Sequence, residues 1–551
     1  MSRFSIRQRG RRLFPSAAMS GVAAIAAIGL LALGASAGAQ VVSSEVGSAS
    51  SAAPPDLRIE EGKLHLTLEE ARELALQRNL ALVVERYRQE ESSLSLWRSQ
   101  GIYDPRLSGS LGWFDETQPS VSFLDGADVR SNEAKSWDFS VDRLFESGGT
   151  GEISWTNQRS TSNSSFANLN PSFRVDLDFS FRQPLLRDFG KSATNRFIRI
   201  ARTNLNISRE NFEAQVVATL QSVEDAYWNL VEAQAQLKVA EQSLDLAQQL
   251  HDQNRIRVDV GTLAPLELIQ SEAGIATRQE EIIRARALVG DSEDVLRQLM
   301  DLRDSEVWTL ELALDTAPER EEVPIDVDEA IQIALAERPE LRSKRLSQEN
   351  LDQEIEYFRN QKLPRVDLSV VYGFNGLGGD LRETDFFTGE VLRERSGGYS
   401  DAIDQAVGGD FEGWSAGINV AYPLFNRTAR ANEALAEVGF ERGQVELADL
   451  ELAVTTAVRR IARFVDTARE ALESAQVSRR LAEKNLDAEE KRYENGLSTS
   501  FQVLEVQEDL TGARSREVAA VTGYRKALVQ YYRAIGRLVE ESGVEIADPE
   551  A

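Results

Sequence analysis

The chain has no cysteine, and only two histidines, three methionines and 14 prolines among its 551 residues. Without thiols there is no disulfide framework, no thiolate zinc site, no iron–sulfur cluster and no N-terminal lipid-modified cysteine. His65 and His251 poorly provision histidine catalysis or a histidine metal site. Basic side chains are in the minority. Against 89 Asp and Glu stand 62 Lys and Arg, a net charge of −27, which argues against a nucleic-acid partner. No nucleotide loop, nucleophile elbow or metal-ligand cluster is visible, so no cofactor and no enzymatic activity are expected. Past the N-terminus no run approaches the roughly 18 apolar residues of a transmembrane helix. With 42% hydrophobic and 27% charged residues the chain can fold, and its length suits several domains or one elongated body.

The N-terminus reads as an export signal. Arg3, Arg7, Arg9, Arg11 and Arg12 precede an apolar run from about Ala17 to Leu33, and the small residues Ala35 to Ala39 follow. That is a positive segment, an apolar segment and an A-x-A cleavage pattern, with the cut after Ala39. An uncleaved anchor is the alternative, though the run is short for a span. Removing 1–39, which holds five Arg and no acid, takes the charge from −27 to −32. Residues 40–63 form a loose leader, Ser/Ala/Pro-rich over 40–56.

The remainder is one unit written twice. Leu66-Thr67-Leu68-Glu69-Glu70-Ala71 returns as Ile325-Asp326-Val327-Asp328-Glu329-Ala330, an offset of 259 that holds through Ala75/Ala334, Leu82/Leu341, Pro105/Pro364 and Trp113/Tyr372. Pro184 matches Pro423 at offset 239, and Arg257–Gly261 matches Arg492–Gly496 at offset 235. A duplication accounts for this, with repeat 1 over 64–302, a linker over 303–324 that carries Pro318 and Pro324, repeat 2 over 325–540 and a tail over 541–551. Each copy spells helix, strands, very long helix, turn, helix, and the first helices break at Asn79 and Pro339. Coiled-coil seams run through Val216, Leu220, Val223, Tyr227 and Leu230 in the first arm. In the second they run through Val454, Ala457, Ile461, Phe464, Ala468 and Ala471.

Between the helices the period changes to two. Phe173, Val175, Leu177, Phe179 and Phe181 alternate with Arg174, Asp176, Asp178, Ser180 and Arg182. Leu107, Leu111 and Trp113 do the same in 106–114, Val366 to Phe374 in the second copy, and Trp414 to Tyr422 after it. Strands apolar on one face and tipped by aromatics fit a membrane barrel. A soluble sandwich with one buried face is the alternative. Strand edges cannot face lipid unpaired, and four to six strands do not close a barrel. Membrane-spanning strands therefore require an oligomer.

These residues resemble the TolC family of outer-membrane efflux proteins, over about 64–540. The resemblance rests on the duplication and on two glycine-centred tips, Val258-Asp259-Val260-Gly261-Thr262-Leu263-Ala264-Pro265 and Tyr493-Glu494-Asn495-Gly496-Leu497-Ser498-Thr499. It implies an α+β membrane protein, whose transmembrane β-barrel and long α-helical tunnel are completed by trimerisation. The expected function is a passive conduit from periplasm to exterior in a tripartite efflux or type I secretion system. Its partners would be two further copies, a periplasmic adaptor, an inner-membrane pump of RND or ABC type and outer-membrane lipid. The family's adaptors dock at the tips, here Gly261, Thr262, Leu263, Gly496, Leu497 and Ser498. Its entrance constriction maps to Gln502, where an acid is lost, and Glu505. Its gating tether maps to Tyr493, with Ser498 replacing the basic partner. A periplasmic coiled-coil scaffold with a soluble β-module is the other reading.

The strand number departs from the family picture of four per chain. Pro105 to Pro184 spans 79 positions and Pro364 to Pro423 only 59. The excess of 20 matches two strands of about ten residues, at Trp137–Phe145 and Gly151–Asn157 around the turn Glu146–Thr150. Six strands per chain make eighteen in a trimer. Arg143 facing lipid and the shortness of 151–157 favour instead a hairpin standing outside a twelve-stranded barrel. Mass measurement in detergent should give three copies per particle; a stable membrane-inserted monomer would contradict both the edge argument and the resemblance.

Overall fold

The computed structural model describes residues 58–60, 62–121, 126–303, 305–316, 323–384 and 390–544. The export signal, most of the leader, Pro318 and most of the tail lie outside the described residues. In chain order the first copy contains β1 (Arg58–Glu60), β2 (Lys63–Leu66), α1 (Leu68–Arg78), α2 (Leu80–Gln100), β3 (Arg106–Pro119), β4 (Val129–Leu144), β5 (Thr150–Ser162), β6 (Leu169–Pro184), α3 (Arg196–Asp259) and α4 (Pro265–Leu299). After β7 (Glu311–Leu314) the second contains α5 (Val327–Glu337), α6 (Pro339–Gln361), β8 (Arg365–Thr384), β9 (Val391–Arg395), α7 (Tyr399–Gly408), β10 (Glu412–Ala421), α8 (Arg427–Glu494) and α9 (Ser500–Ile535). The chain divides into a unit of Leu96–Ile200 with Asp352–Val438 and a helical unit made of the rest. Among the described residues no helix is long and apolar enough to cross a membrane.

In the helical unit the duplication shows in the caps. Thr67 and Asp326, a pair at offset 259, both start helices. Thr67 Oγ1 accepts from Glu70 N at 3.2 Å while the Glu70 carboxylate accepts from Thr67 N at 2.7 Å, a reciprocal capping box. Asp326 Oδ1 accepts from the N–H groups of Asp328 and Glu329 at 2.9 and 3.1 Å. The breaks after α1 and α5 fall at Asn79 and Arg338, again 259 apart. Helix ends match at offset 235: Gly261 and Gly496, then Asp301 and Gly536, all at positive φ.

One core gathers Leu68, Ala71 and Leu74 of α1, Tyr227, Trp228 and Leu230 of α3, and Leu296 with Met300 at the end of α4. The end of α4 and α1 thus meet on the middle of the long α3. Each fully buried large apolar side chain here contributes roughly 1.5–3 kcal/mol. Leu312 of β7 joins this core, because β7 pairs parallel with β2. A strand therefore forms within the stretch composition marks as a linker, and β1 orders the end of the leader. In the second core the seam of α8 is Val454, Val458, Val465 and Leu472, with Ile461 and Ala468 packed against it as expected. Ala457, Phe464 and Ala471, expected in the seam, lie one residue off it. The helical stripe has room for either neighbour, and Val and Leu bury more area than Ala.

The other unit is one antiparallel sheet of order β10-β8-β6-β5-β4-β3, with short β9 on the end of β8. The stretches around 137–145 and 151–157 are thus full members of the sheet. They belong to strands of 16 and 13 residues, longer than the alternation alone marks. Cross-strand pairing gathers Leu107, Val141, Ile153, Phe179, Tyr372 and Trp414 into one row across all six strands. Ser108, Ser140, Ser154, Asp178, Gly373 and Gly413 run alongside on the opposite face. Arg143 pairs with Gly151, one step from the Phe145–Gly149 turn. It therefore stands near the turn end of the apolar face, over the Phe145 ring at 5.9 Å, with its Nε buried and without a partner among the described residues.

α7 lies on the apolar face, with Ala402 and Ala406 against Val175. Gly376 and Gly378 are what admit it: a Cβ on Gly376 would overlap the carbonyl oxygen of Ala402, and one on Gly378 that of Gly398. Gly378 and Gly379 therefore sit inside β8. Tyr399 pins the helix by donating to Asn157 Oδ1 at 2.6 Å and accepting from Trp137 Nε1 at 3.3 Å. Gly376→Val should lift α7 and cost about 1–3 kcal/mol by overpacking, seen as a lower unfolding temperature. An unchanged midpoint would mean that the contact carries no stability.

Candidate functional site: the glycine-capped helix tips

α3 and α8 are long amphipathic helices, and each must reverse into a return helix. Both do so by the same backbone device. Gly261 N donates to Val258 O at 2.9 Å and Thr262 N to Arg257 O at 2.8 Å; Gly496 N donates to Tyr493 O at 3.0 Å and Leu497 N to Arg492 O at 2.9 Å. This is the Schellman arrangement, which needs a left-handed residue after the helix end. The glycines supply it with φ of 80° and 72°.

The return helices start differently. α4 opens with Pro265 in its first turn and Ala264 as a cap without a side-chain bond, a position where a missing N–H costs little. α9 opens with Thr499, whose hydroxyl accepts from Gln502 N at 3.3 Å while Gln502 Oε1 accepts from Thr499 N at 3.2 Å. Gln502 is thus engaged as the reciprocal half of a capping box. Ser498 Oγ lies 2.9 Å from Gln502 Oε1 and also bonds the Glu489 carboxylate, which Arg492 holds at 2.9 Å.

The two tips are tied together. Tyr493, buried, donates its hydroxyl to Asn254 Oδ1 at 2.5 Å. Arg257 stacks on the Tyr493 ring at 4.3 Å from its centroid and donates to the Tyr493 carbonyl at 3.1 Å. Burial pushes the Tyr493 phenol above its ordinary range, and the Arg257 charge pulls the other way. Ser500 also bonds Glu267 across the pair. Leu250, Leu486, Val503 and Leu510 fill the space behind. Asn254 is fully buried, yet its Nδ2 has no partner among the described residues.

The structure brings Tyr493, Ser498 and Gln502 to one turn. Glu505 lies one turn further on, exposed beside Asp509, whereas Glu508 is within 3.7 Å of Arg278. Gly261, Thr262, Gly496 and Leu497 are exposed and Leu263 half-buried. Sequence reasoning missed Asn254 and Arg257, although Arg257 was visible as the partner of Arg492 in the repeat. Among the described residues no cluster of acids and histidines could hold a metal.

A family model described as outer membrane efflux protein matches residues 148–301 and 330–537. The pyoverdine export outer membrane protein OpmQ of Pseudomonas putida is 24% identical over 413 residues, covering 72% of this chain and 76% of that protein. The fold is shared with the Campylobacter jejuni CmeC outer membrane channel, at TM-score 0.61 and 16% identity over 87% of this chain and 90% of the other. The outer-membrane channel OprN superposes with TM-score 0.60 and 16% identity, over 85% and 89% of the two chains.

Tyr493→Phe deletes the bond to Asn254 and leaves a buried amide doubly unsatisfied. The expected cost is about 1–3 kcal/mol, and every 1.4 kcal/mol is about tenfold in local opening. Amide exchange across 250–262 and 489–503 should accelerate accordingly, and exchange at unchanged rates would show that Arg257 holds the tips alone.

Proposed function

The chain belongs to the outer membrane efflux protein family, and from that premise we propose that it is the exit duct of a tripartite efflux or type I secretion system. It is an outer-membrane efflux channel whose helical part lies in the periplasm. In this reading three copies assemble, a periplasmic adaptor joins them to an inner-membrane pump of RND or ABC type, and substrate passes without chemistry.

The observation that carries the reading is the exposed apolar face of the sheet. Leu111, Trp113 and Trp414 are 87%, 75% and 76% exposed. Large apolar side chains in continuous rows mark a surface built for lipid or protein. A soluble β-module on a periplasmic scaffold would have to bury that face, so the scaffold reading loses ground.

The tips are the adaptor's place. Val260, Leu266, Leu497 and Phe501 are each more than 60% exposed around the two turns, an apolar rim on a well-tied base. Glu505 from three copies would ring the mouth with carboxylates that favour cations. Gln502, held in its capping box, would stand beside that ring. The Tyr493–Asn254–Arg257 group would hold the tips closed.

Gly496→Ile tests the docking role. No atom lies within 4 Å of the site a Cβ would take, so the penalty is backbone strain at positive φ alone. Export should fail while the oligomer still forms in the outer membrane. Normal export with normal adaptor capture would reduce the tip to a turn.

A further inference from the structure

We propose that Arg143 and the cavity beside it bind the phosphate headgroup of an anionic phospholipid. This rests on the reading of the apolar sheet face as the lipid-facing surface of an outer-membrane channel, and adds which lipid chemistry that face selects and where.

A charge stands on that face without a carboxylate. Phe139, Val141 and Arg143 lie on one side of β4, and cross-strand pairing sets them with Leu107, Ile153 and Phe179. The Arg143 Nε is buried and has no partner among the described residues. Other arginines near this end of the sheet are placed differently. Arg106 holds Asp142 at 2.9 Å, and Arg182 and Arg365 share Asp367 at 2.9 and 2.8 Å, all on the polar face. Glu152 pairs across to Asp142 and Ser180 and so belongs to the polar face as well. Toward the other end of the apolar face Lys135 has its own acid, Glu133, at 2.8 Å. A guanidinium nitrogen buried without an acceptor is costly, and here the acceptor has to come from outside the chain.

The site has room for one. A cavity of about 160 Å³ lies beside the guanidinium, lined by Pro105, Val141, Gly151, Ile153 and Phe179 together with Arg143, far more space than one water needs. The residue directly across from Arg143 is Gly151, which adds no side chain to the gap. Arg143 stacks over Phe145, and the Phe145 and Phe181 rings stand 6.1 Å apart. Stacking occupies the flat face of the guanidinium and leaves its in-plane N–H groups to donate, a fork that matches phosphate. Val141, Ile153 and Phe179 then offer an apolar wall to an acyl chain. A free phosphate would leave that wall unused, and an apolar ligand would leave the charge unpaired. A zwitterionic headgroup brings its own cation toward the guanidinium, so a net negative one is preferred.

The depth agrees with a headgroup. Arg143 lies two residues from the tight turn in which Phe145 N donates to Gly149 O, and Gly190 N donates to Ser147 O at 3.0 Å, tying that turn to the segment that enters α3. This is the helix end of the sheet, the periplasmic side of the channel. A cation on the lipid face costs least near the interface, where aromatic residues also gather. The lipid is therefore one of the periplasmic leaflet.

The full-length protein, extracted from outer membranes and stripped of lipid in detergent, would be titrated with phosphatidylglycerol, phosphatidylcholine and inorganic phosphate, with bound lipid counted by native mass spectrometry. The parent should hold a single phosphatidylglycerol per chain in preference to phosphatidylcholine. Arg143→Met keeps the bulk of the stem and drops the charge; it should weaken phosphatidylglycerol by about tenfold or more, the worth of a hydrogen bond to a charged group. Arg143→Lys should fall between the two, and Arg106→Gln, on the polar face, should match the parent. Should Arg143→Met not reach the membrane, Arg143→Gln answers the same question. Equal retention of the two lipids by the parent, or undiminished retention once the charge is gone, would overturn the site. Displacement of the lipid by inorganic phosphate at similar concentration would overturn the lipid assignment in favour of a free-phosphate site. A parent chain recovered in the soluble fraction would instead refute the outer-membrane reading on which this rests.

Discussion

A peptide group in hydrocarbon must have a partner, and this single constraint organises the molecule. Of the six strands in the main order of the sheet, every one but two is paired on both sides, and short β9 pairs with β8 alone. The two exceptions, β3 and β10, are where the chain is unfinished. Because a wall can gain or lose strands only in pairs without reversing an edge, the variable element is the hairpin. β4 and β5 are such a hairpin, joined by the tight Phe145–Gly149 turn.

The helical parts obey a stricter rule. Cap and break positions hold offset 259 before the strands, and the helix ends hold 235 after them. The difference of 24 is absorbed between the helices. Twenty of those residues fall between the paired prolines, where the first copy has β4 and β5 and the second has β9 and α7. After Pro184 the first copy takes eight more residues to reach its long helix, through Asp188 and Gly190 at positive φ, and α3 is then four residues shorter than α8, 64 against 68, which leaves the net four. The two copies thus differ by about one turn in their long helices. Their walls can differ by whole elements.

Much of this was legible in the sequence, because it is written in periods. Alternation over 173–181, aromatic positions at 113 and 372, and the paired caps all follow from spacing alone. The tips were legible because only glycine turns a helix so sharply. Three features were not. Alternate positions of the α8 seam slipped by one residue, because Ala457 and Val458 both satisfy a 3.6-residue stripe, while Val454, Ile461 and Ala468 held. α7 was hidden because its ten residues carry only a short apolar pattern, and the glycines that receive it resemble loop glycines. The Asn254–Tyr493 bond joins two repeats 239 residues apart, and no local pattern announces a buried amide facing a phenol.

The large acidic excess contributes less to the tips than the charge suggests. Paired acids on the helices include exposed pairs such as Arg284–Glu280 and Lys491–Asp487, each giving about 0–1 kcal/mol. What holds the turns is uncharged or buried: four main-chain bonds around two glycines, one capping box, and a tyrosine between an amide and a guanidinium. A turn built this way keeps its shape when salt screens the surface. Glu505 and Asp509, exposed on the return helix, take no part in these bonds. The shape of the turns thus rests on backbone geometry and buried contacts, and the surface carboxylates can vary without unmaking it.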